Sequence, residues 1–267
     1  MSTHEEAAGR VDLTITGAVA EIVINNPRRH NAVSLDMWRQ LGAHLEAAAA
    51  NEAVRVLILS GAGGKAFAAG ADISRFESER ATADASRAYN AASGTASERL
   101  YNFPKPTIAR INGYCIGGGL ALALCCDLRI AETVSKFAIP AARLGLGYGL
   151  GGVRRLVEVV GPSAAMDIFF TARKLVAEEA LRIGLINQAV SPERVGPVVA
   201  DIAEKICENA PMTVAAAKSA VRELGKAQAE QNHQVIERMV EACFASEDFV
   251  EGRRAFMEKR PPQFKGR

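Results

Sequence analysis

The chain has 267 residues, 49% hydrophobic and 23% charged, which is enough apolar material for one large domain or one domain and a smaller one. Its 32 Lys and Arg nearly balance its 30 Asp and Glu, which argues against a protein that binds nucleic acid or an anionic membrane. The polar start MSTHEEAAGR and the absence of a membrane-length apolar run predict a cytoplasmic protein. Five cysteines without a CxxC pair, and only four histidines, predict no structural metal and no redox cofactor.

The first elements predicted along the chain are a hairpin and a helix. Residues 11–25 alternate apolar and polar side chains across Gly17-Ala18, which is typical of a β-hairpin that ends before Pro27. Ser34 can then cap a helix in which apolar residues recur every four positions.

The remaining pattern changes near residue 190 from strands alternating with helices to helices alone. This change indicates an α/β body followed by a helical C-terminal region. In chain order we predict a buried strand at 54–61, a helix over 74–101, a strand at 107–113, a strand-to-helix junction at 117–119, strands in DLRIAE and KFAIP, and helices over 153–160, 162–171, 177–183, 193–208 and most of 212–258.

Two glycine-rich corners, 60–73 and 111–124, each follow an apolar strand. Glycine allows close backbone approach and positive φ, and a helix that begins just after it presents unpaired N–H groups. Two such N–H groups directed at one point would form an oxyanion hole. The alternative is that these glycines only let helices pack tightly against strands.

Nucleotide binding and serine hydrolysis fit the sequence poorly. Residues 61–66 match the slots of GxGxxA, but Gly70 interrupts the helix that should follow, and no acidic residue ends a second strand about 20 positions later. Lys65 is followed by Ala66 and not by Ser or Thr, so no P-loop is present. No GxSxG occurs.

Several blocks resemble the enoyl-CoA hydratase/isomerase family, the crotonase superfamily. They are KAFAAGADI (65–73) and KPTIARINGYCIGGGLALALCCDLRIA (105–131), with INNPRRHNAVS (24–34), FAIPAARLGLGYGLGG (137–152), ARKLVAEEALRIGLINQAV (172–190) and EGRRAFMEKRPPQFKGR (251–267). The resemblance implies a crotonase-type spiral of ββα units over residues 1–198 and a C-terminal helical trimerisation region over 199–267. It also implies a homotrimer or hexamer.

The resemblance further implies which residues bind an acyl-CoA thioester. The N–H groups of Ala71 and Gly118 match the two donors that stabilise the thioester enolate. Other positions match residues that contact CoA: the backbone around Ala69, Ala71 and Ile73 for adenine, Arg28 or Arg29 for phosphate, and Phe256 and Lys259, the last two from a neighbouring subunit. No cofactor is implied, since the CoA thioester is itself the substrate.

The chain departs from a hydratase of this family at two positions. Hydratases carry one glutamate two residues after the glycine triplet and another after the Pro of F-x-x-P, and these positions hold Ala121 and Ala141. A methyl group cannot transfer a proton, and each acid–base group typically contributes about 10²–10⁴-fold. We therefore expect weak hydration of a simple enoyl-CoA. A carboxylate from the segment 74–101 could replace those lost; the candidates are Glu77, Glu79, Asp84 and Glu98.

The loop 144–152 suggests another chemistry. Its pattern L-G-x-x-Y-x-L-x-G resembles that of methylmalonyl-CoA decarboxylases, in which a tyrosine lies beside the departing carboxylate; here it is Tyr148. Decarboxylation forms the enolate without a base. Tyr148 could equally be a packing residue, and Arg143 could bind a substrate carboxylate or a protein one.

Three hypotheses follow for an enolate-stabilising protein with an Ala71–Gly118 oxyanion hole. The first is a lyase or isomerase with displaced acid–base groups. The second is a decarboxylase of a malonyl-type CoA ester that uses Tyr148. The third is a non-catalytic acyl-CoA-binding protein.

Overall fold

The computed structural model describes residues 9–72 and 81–267. The strands of this part of the chain are β1 Arg10–Thr16, β2 Val19–Asn25, β3 Val56–Gly61, β4 Ala66–Ala68, β5 Thr107–Ile111, β6 Tyr114–Ile116, β7 Leu128–Glu132, β8 Lys136–Ala138, β9 Leu175–Val176 and β10 Gln188–Val190. The helices are α1 Leu35–Ala50, α2 Ala83–Tyr101, α3 Gly118–Cys125, α4 Leu150–Thr171, α5 Ala177–Arg182, α6 Val195–Glu208, α7 Pro211–Leu224, α8 His233–Ala245 and α9 Glu247–Glu258.

The strands form two sheets that the chain visits alternately. One sheet has the order β1-β2-β3-β5-β7-β10 and is parallel except for the β1–β2 hairpin. The other has the order β4-β6-β8-β9 and is parallel except for β8–β9. The successive units β3–β4–α2, β5–β6–α3 and β7–β8–α4 each place one strand in either sheet. The structure therefore repeats a ββα unit, although the sequence shows no repeat of fixed period.

Within the six-stranded sheet, β3 is buried on both faces, which explains its continuously apolar run. Successive side chains of a strand point to opposite faces. Leu57 and Leu59 belong to the main core, whereas Val56 and Ile58 pack with α6 in a second apolar cluster. A strand covered on both sides carries no polar face, so its sequence shows no alternation.

The C-terminal helices end in a tail that folds back on α9. The carboxylate of Asp248 accepts the N–H groups of Lys265 and Gly266 at 2.6 and 2.8 Å. Glu251 pairs with Arg260 at 2.6 Å, and its hydrogen bonds hold its pKa far below the usual range. The tail, residues 259–267, is thus packed against α9 as part of the folded structure.

The fold confirms the predicted α/β class, the hairpin, the helix capped by Ser34 and the helical C-terminal region. Thr82 caps α2, which begins at Ala83, and residues 74–80 of the predicted helix lie outside the described residues. The expected strand 107–113 is shorter than predicted: β5 ends at Ile111, and a further strand, β6, begins at Tyr114 after Gly113, whose φ is 56°. The expected helices 153–160 and 162–171 are confirmed as the two halves of α4, which breaks at Gly161, where φ is 76°, but the first half begins earlier than predicted, at Leu150.

No helix in the described part of the chain is long and apolar enough to cross a membrane.

Candidate active site

Asn31 holds the first glycine-rich corner in place. Its φ of 57° is left-handed, a conformation that asparagine adopts more readily than most residues. Its side-chain amide donates to the carbonyls of Ala62 and Ala66 at 2.9 and 2.7 Å, and its side-chain oxygen accepts the N–H of Asn26 at 2.9 Å. The polar segment after β2 is thereby fixed against β4, just before the residues that reach Ala71. The prediction from sequence did not single out Asn31, although an asparagine in a polar turn after Pro27 is a recognisable signal for such a role.

The segment that carries Ala71 pairs with Val33. The N–H of Val33 donates to the carbonyl of Gly70 at 2.8 Å, and the carbonyl of Val33 accepts the N–H of Asp72 at 3.3 Å. In this parallel pairing the residue between the two bonded neighbours directs its own N–H to the opposite side. The N–H of Ala71 therefore points away from Val33.

The carbonyl of Val33 is also held from the side of the helices. The hydroxyl of Tyr89 on α2 donates to it at 2.8 Å, and the indole N–H of Trp38 on α1 donates to that hydroxyl at 2.8 Å. Tyr89 and Trp38 are both buried. Their side chains fix the strand that positions Ala71, a role that pattern reasoning did not find because the two residues are 51 positions apart in sequence.

The second glycine-rich corner meets the first at Gly118. A Cβ placed on Gly70 would lie 3.2 Å from the nitrogen of Gly118, and one placed on Gly118 would lie 3.9 Å from the nitrogen of Ala71. Gly119 packs against Ala68 so closely that a Cβ there would lie 2.1 Å from the Ala68 carbonyl oxygen. The structure therefore brings the backbone nitrogens of Ala71 and Gly118 close together. Their role as the two oxyanion donors stays a prediction.

Both N–H groups at this junction are available as donors. Gly118 is the first residue of α3, where an N–H has no intrahelical acceptor. Neither N–H donates to a backbone carbonyl of another described residue. The partial positive charge at the start of α3 adds to the two donors. Such an arrangement can bind an oxyanion.

The two positions expected to have lost glutamates lie on the elements that flank this junction. Ala121 is half-buried on α3, one turn after Gly118, and its N–H donates to the carbonyl of Gly117 at 3.0 Å. Ala141 is buried in the 3-10 turn Pro140–Leu144, which begins where β8 ends. Neither side chain can exchange a proton.

Tyr148 lies between that turn and α4, with its ring packed inward. The ring meets Phe169 edge-on at a centroid distance of 5.1 Å, and a Cβ on Gly152 would lie 2.8 Å from its Cε1. Burial, with a smaller contribution from Cys125, raises the pKa of Tyr148 to about 12. The hydroxyl is therefore neutral at ordinary pH and can donate a hydrogen bond.

The other charged candidates lie outside this junction or at its edge. Arg143 is exposed in the turn that carries Ala141 and forms no ion pair with a described residue. Glu98 pairs with Arg155, and Asp84 pairs with Arg87, all through exposed carboxylates. These two carboxylates are therefore engaged away from the junction, whereas Glu77 and Glu79 lie outside the described residues.

The residues predicted to contact CoA fall in two places. Arg28 and Arg29 are exposed in the short turn Pro27–Arg29, and the N–H of Ala69 donates to the carbonyl of His30 at 3.0 Å. These residues adjoin the Ala71 segment, and Ile73 lies outside the described residues.

Phe256 and Lys259 lie at the end of α9, far along the chain from the glycine junction. Phe256 is 84% exposed, and Lys259 ends α9 with a left-handed φ of 56°. Both side chains are thus presented outward from one protomer, and their contact with CoA stays a prediction.

The described residues contain no group of three or more His, Cys, Asp or Glu side chains placed to hold a metal ion. Cys115, Cys125 and Cys126 are buried, and burial raises the pKa of each thiol, to about 11 for Cys125. They are packing residues in the apolar core.

Comparison with known proteins places this geometry in a family. The model of the enoyl-CoA hydratase/isomerase family matches residues 14–267, so the chain belongs to that family. It is 36% identical over 246 residues to the crotonyl-CoA hydratase of Syntrophomonas wolfei, covering 92% of this chain and 94% of that protein. It is 35% identical over 259 residues to the carnitinyl-CoA dehydratase of Salmonella arizonae, covering 95% and 97%.

The fold agrees with solved structures of the same family. An enoyl-CoA hydratase/isomerase family protein from Hyphomonas neptunium matches with a TM-score of 0.91 at 40% identity, over 96% of this chain and 98% of that one. The enoyl-CoA hydratase of Bacillus anthracis matches with a TM-score of 0.91 at 32% identity, over 97% and 100%. The predicted crotonase-type fold is thereby confirmed.

Proposed function

We propose that this protein binds an acyl-CoA thioester and stabilises the enolate of its acyl group between the N–H groups of Ala71 and Gly118. The observation that carries the proposal is the meeting of these two nitrogens at the start of α3, with no backbone acceptor among the described residues. CoA esters are the substrates that the names of the relatives indicate.

The physical argument rests on where charge develops. An enolate of a thioester places its negative charge on one oxygen, and fixed N–H donors stabilise that oxygen without reorganising. Loss of one donor from such a site typically costs about 2.7–4 kcal/mol of transition-state stabilisation. The tight packing of Gly119 on Ala68 supports such fixation, because it leaves the start of α3 little room to move.

The acid–base chemistry follows from the alanines at 121 and 141. With methyl groups in both places, we propose a lyase or isomerase reaction that uses other proton carriers, with weak hydration of simple enoyl-CoA esters. Asp72, buried beside Ala71, is the nearest carboxylate in sequence.

A product-mass assay with crotonyl-CoA and methylmalonyl-CoA tests the reaction. We expect CoA-ester binding with little gain of water by crotonyl-CoA. Hydration at a rate typical of the family would contradict the assignment of Ala121 and Ala141 as disabling. Binding without turnover of any thioester would instead favour the non-catalytic alternative.

Gly118→Pro tests the oxyanion hole directly. Proline removes the N–H at the first helical position, where helices accept it, so we expect turnover to fall by about 100-fold or more. Gly118→Ala is the matched control: its Cβ would lie 3.5 Å or more from its neighbours, and it keeps the N–H. Equal loss in both variants would argue against a donor role.

Restoring the carboxylates tests the reason for weak hydration. We expect Ala121→Glu combined with Ala141→Glu to raise hydration of crotonyl-CoA by at least 100-fold, because each proton carrier typically contributes about 10²–10⁴-fold. Ala121→Gln with Ala141→Gln matches the size without the proton and should not raise it. A hydration rate that does not change in the glutamate variant would mean that these positions are not the missing acid and base.

Decarboxylation of a malonyl-type ester is the second candidate, and the position of Tyr148 between the turn that carries Ala141 and α4 favours it. Its hydroxyl can donate a hydrogen bond to a carboxylate. Tyr148→Phe should abolish loss of CO₂ from methylmalonyl-CoA if this reaction occurs. Loss of CO₂ that persists in Tyr148→Phe would exclude the tyrosine from it.

We also propose that the protein is a homotrimer or hexamer in which Phe256 and Lys259 reach CoA bound by a neighbour. The support is the exposure of apolar side chains on the C-terminal helices, which isolated proteins rarely leave uncovered: Phe244, Phe249, Val250, Phe256 and Met257. Sedimentation equilibrium tests the mass. A monomer at micromolar concentration would contradict the proposal.

A further inference from the structure

A buried tyrosine of helix α2 contacts the backbone beside the glycine junction. Tyr89 is 3% exposed, and its hydroxyl donates to the carbonyl of Val33 at 2.8 Å. Val33 directly precedes Ser34, the residue that caps α1, and pairs with Ala71. The side chain of Tyr89 is therefore bound to the backbone segment that lies next to one of the two proposed donors.

The hydroxyl of Tyr89 is itself held from the first turn of α1. The indole N–H of Trp38 donates to it at 2.8 Å, and the two rings meet edge-on with their centroids 6.5 Å apart. A tyrosine hydroxyl has one proton to donate and accepts through its oxygen. Because the oxygen accepts the indole N–H, the proton of Tyr89 is directed to Val33.

The pairing of Val33 sets the direction of the Ala71 N–H through a single peptide group. The carbonyl of Gly70 and the N–H of Ala71 belong to one planar, trans peptide, in which these two bonds point in opposite directions. The N–H of Val33 donates to that carbonyl at 2.8 Å. Rotation of this peptide would turn the Ala71 N–H away from its present direction and would break the bond to Val33.

This peptide needs support from outside its own segment. Gly70 has a φ of 93° and no side chain that restricts rotation. The second bond of the pairing, from the N–H of Asp72 to the carbonyl of Val33, is long at 3.3 Å. The bond from Tyr89 to the same carbonyl is 0.5 Å shorter, so the tyrosine is the stronger of the two constraints on Val33.

The other proposed donor is fixed in a different way. Gly118 begins α3, and the next residue, Gly119, packs on the backbone of Ala68. Close packing thus holds the N–H of Gly118, whereas hydrogen bonds hold that of Ala71.

We propose that Tyr89 is a positioning residue of the oxyanion hole, whose hydroxyl holds Val33 so that the N–H of Ala71 stays directed at the thioester oxygen. The inference rests on the proposed function, because it assigns the residue that aligns one of the two donors.

The absorption of a bound conjugated thioester tests this alignment without turnover. Hydrogen bonds to the carbonyl oxygen of the dimethylamino derivative of cinnamoyl-CoA draw electrons toward that oxygen and shift the absorption band to longer wavelength. We expect Tyr89→Phe to lose roughly half of the shift seen with the wild type, since one of two donors is misaligned. The dissociation constant should rise by no more than about tenfold, the value of one neutral hydrogen bond.

Two further variants accompany Tyr89→Phe. Tyr101→Phe is the matched control, because Tyr101 ends the same helix and its ring faces Arg155 and Arg222; it should leave the shift unchanged. Trp38→Phe removes the bond that holds the Tyr89 hydroxyl, so it should reduce the shift by a smaller amount. A shift in Tyr89→Phe equal to that of the wild type would overturn the proposal.

Amide hydrogen exchange of the protein without ligand tests the alignment independently of any CoA ester. The N–H groups of Val33 and Asp72 form the bonds on either side of Ala71. Tyr89→Phe should speed their exchange by about tenfold, whereas the amides of β5 should exchange as in the wild type. Unchanged exchange at both residues, or equal acceleration in β5, would overturn the proposal.

The two measurements separate this proposal from the proposed function. If the thioester does not bind the wild type, or binds without a shift, while exchange in Tyr89→Phe follows the expected order, the proposed function fails and Tyr89 still aligns the Ala71 segment. If the wild type shifts the band and Tyr89→Phe shifts it equally, the proposed function stands and the role of Tyr89 fails.

Discussion

The two ends of helix α3 are built in opposite ways. At its start, Gly117 to Gly119 carry no side chains, and the surrounding positions Ala68 and Ala71 carry only methyl groups. Beyond its end, Asp127, Lys218 and Arg222 form an ion-paired cluster. Eight residues of helix therefore separate an uncharged junction from a strongly charged one.

The helix dipole favours cations at the C-terminal end of α3 and anions at its N-terminal end. At the C-terminal end, the side chains of the protein supply the cations that the carbonyl groups favour: Arg129 donates to the carbonyl of Cys126 at 2.7 Å, and Arg222 approaches that of Cys125 at 3.5 Å. At the N-terminal end, the neighbours of Gly118 and Gly119 are Gly70, Ala71 and Ala68, none of which carries a charge. The structure at the N-terminal end of α3 therefore depends on close backbone packing, and the structure at its C-terminal end depends on ion pairs.

The largest effect on stability is expected when a methyl group is added to Gly119. Gly119→Ala should destabilise the fold by about 3 kcal/mol or more, because its Cβ would lie 2.1 Å from a backbone oxygen that cannot move aside. Gly118→Ala, one position earlier, should cost less than about 1 kcal/mol, since glycine itself is unfavourable in a helix. Chemical denaturation of both variants measures the difference. Similar stabilities would show that the junction is not tightly packed.

Removing a charge at the other end should have the next largest effect. We expect Asp127→Asn to lower the free energy of unfolding by about 2–3 kcal/mol, somewhat below the loss for a fully buried pair because Asp127 is 23% exposed. The carboxylate also accepts the N–H of Thr107 at 2.8 Å, which adds to the loss.

Asp201→Asn provides the comparison for Asp127→Asn. Asp201 pairs with Lys205 at 2.7 Å on α6, but both side chains are more than half exposed. Such a pair contributes only a few tenths of a kcal/mol. Equal losses in the two variants would mean that the buried cluster is no more stabilising than a surface pair.

The smallest effect is the part of the pH dependence of stability that comes from Cys125, a buried thiol at the charged end of α3. Burial raises the pKa of Cys125 from 9.0 to about 11, so the unfolded chain loses this proton first as pH rises. Stability should fall between pH 9 and 11, and Cys125→Ala should reduce that fall by about 2 kcal/mol. The other buried thiols affect both proteins alike. A fall of the same size in wild type and variant would contradict the assignment.

Much of this fold could be predicted because its patterns are local. The hairpin, the Ser34 cap and the apolar spacing of α1 all arise within a few residues of one another. The three-residue strands β4 and β6 could not be predicted, because a segment so short shows no periodicity. Their existence depends on pairing with each other across almost 50 residues of sequence.

Some features of the candidate site could likewise be predicted from the sequence, whereas others could not. The glycine runs predicted two corners of close backbone approach, and the resemblance to the family, not the glycine pattern, pointed to Ala71 and Gly118. The bonds from Trp38 through Tyr89 to Val33 join residues from distant parts of the chain. No local pattern encodes such contacts, so the structure was needed to find them.

The folded-back tail has a practical consequence for anyone who produces this protein. The carbonyl of Arg267 accepts the N–H of Glu247 at 2.7 Å, and that of Phe264 accepts the guanidinium of Arg55. An affinity tag fused after Arg267 would begin directly at these contacts, and cleavage after Lys259 would remove the partners of Asp248. Purification handles therefore belong at the N-terminal end of the chain.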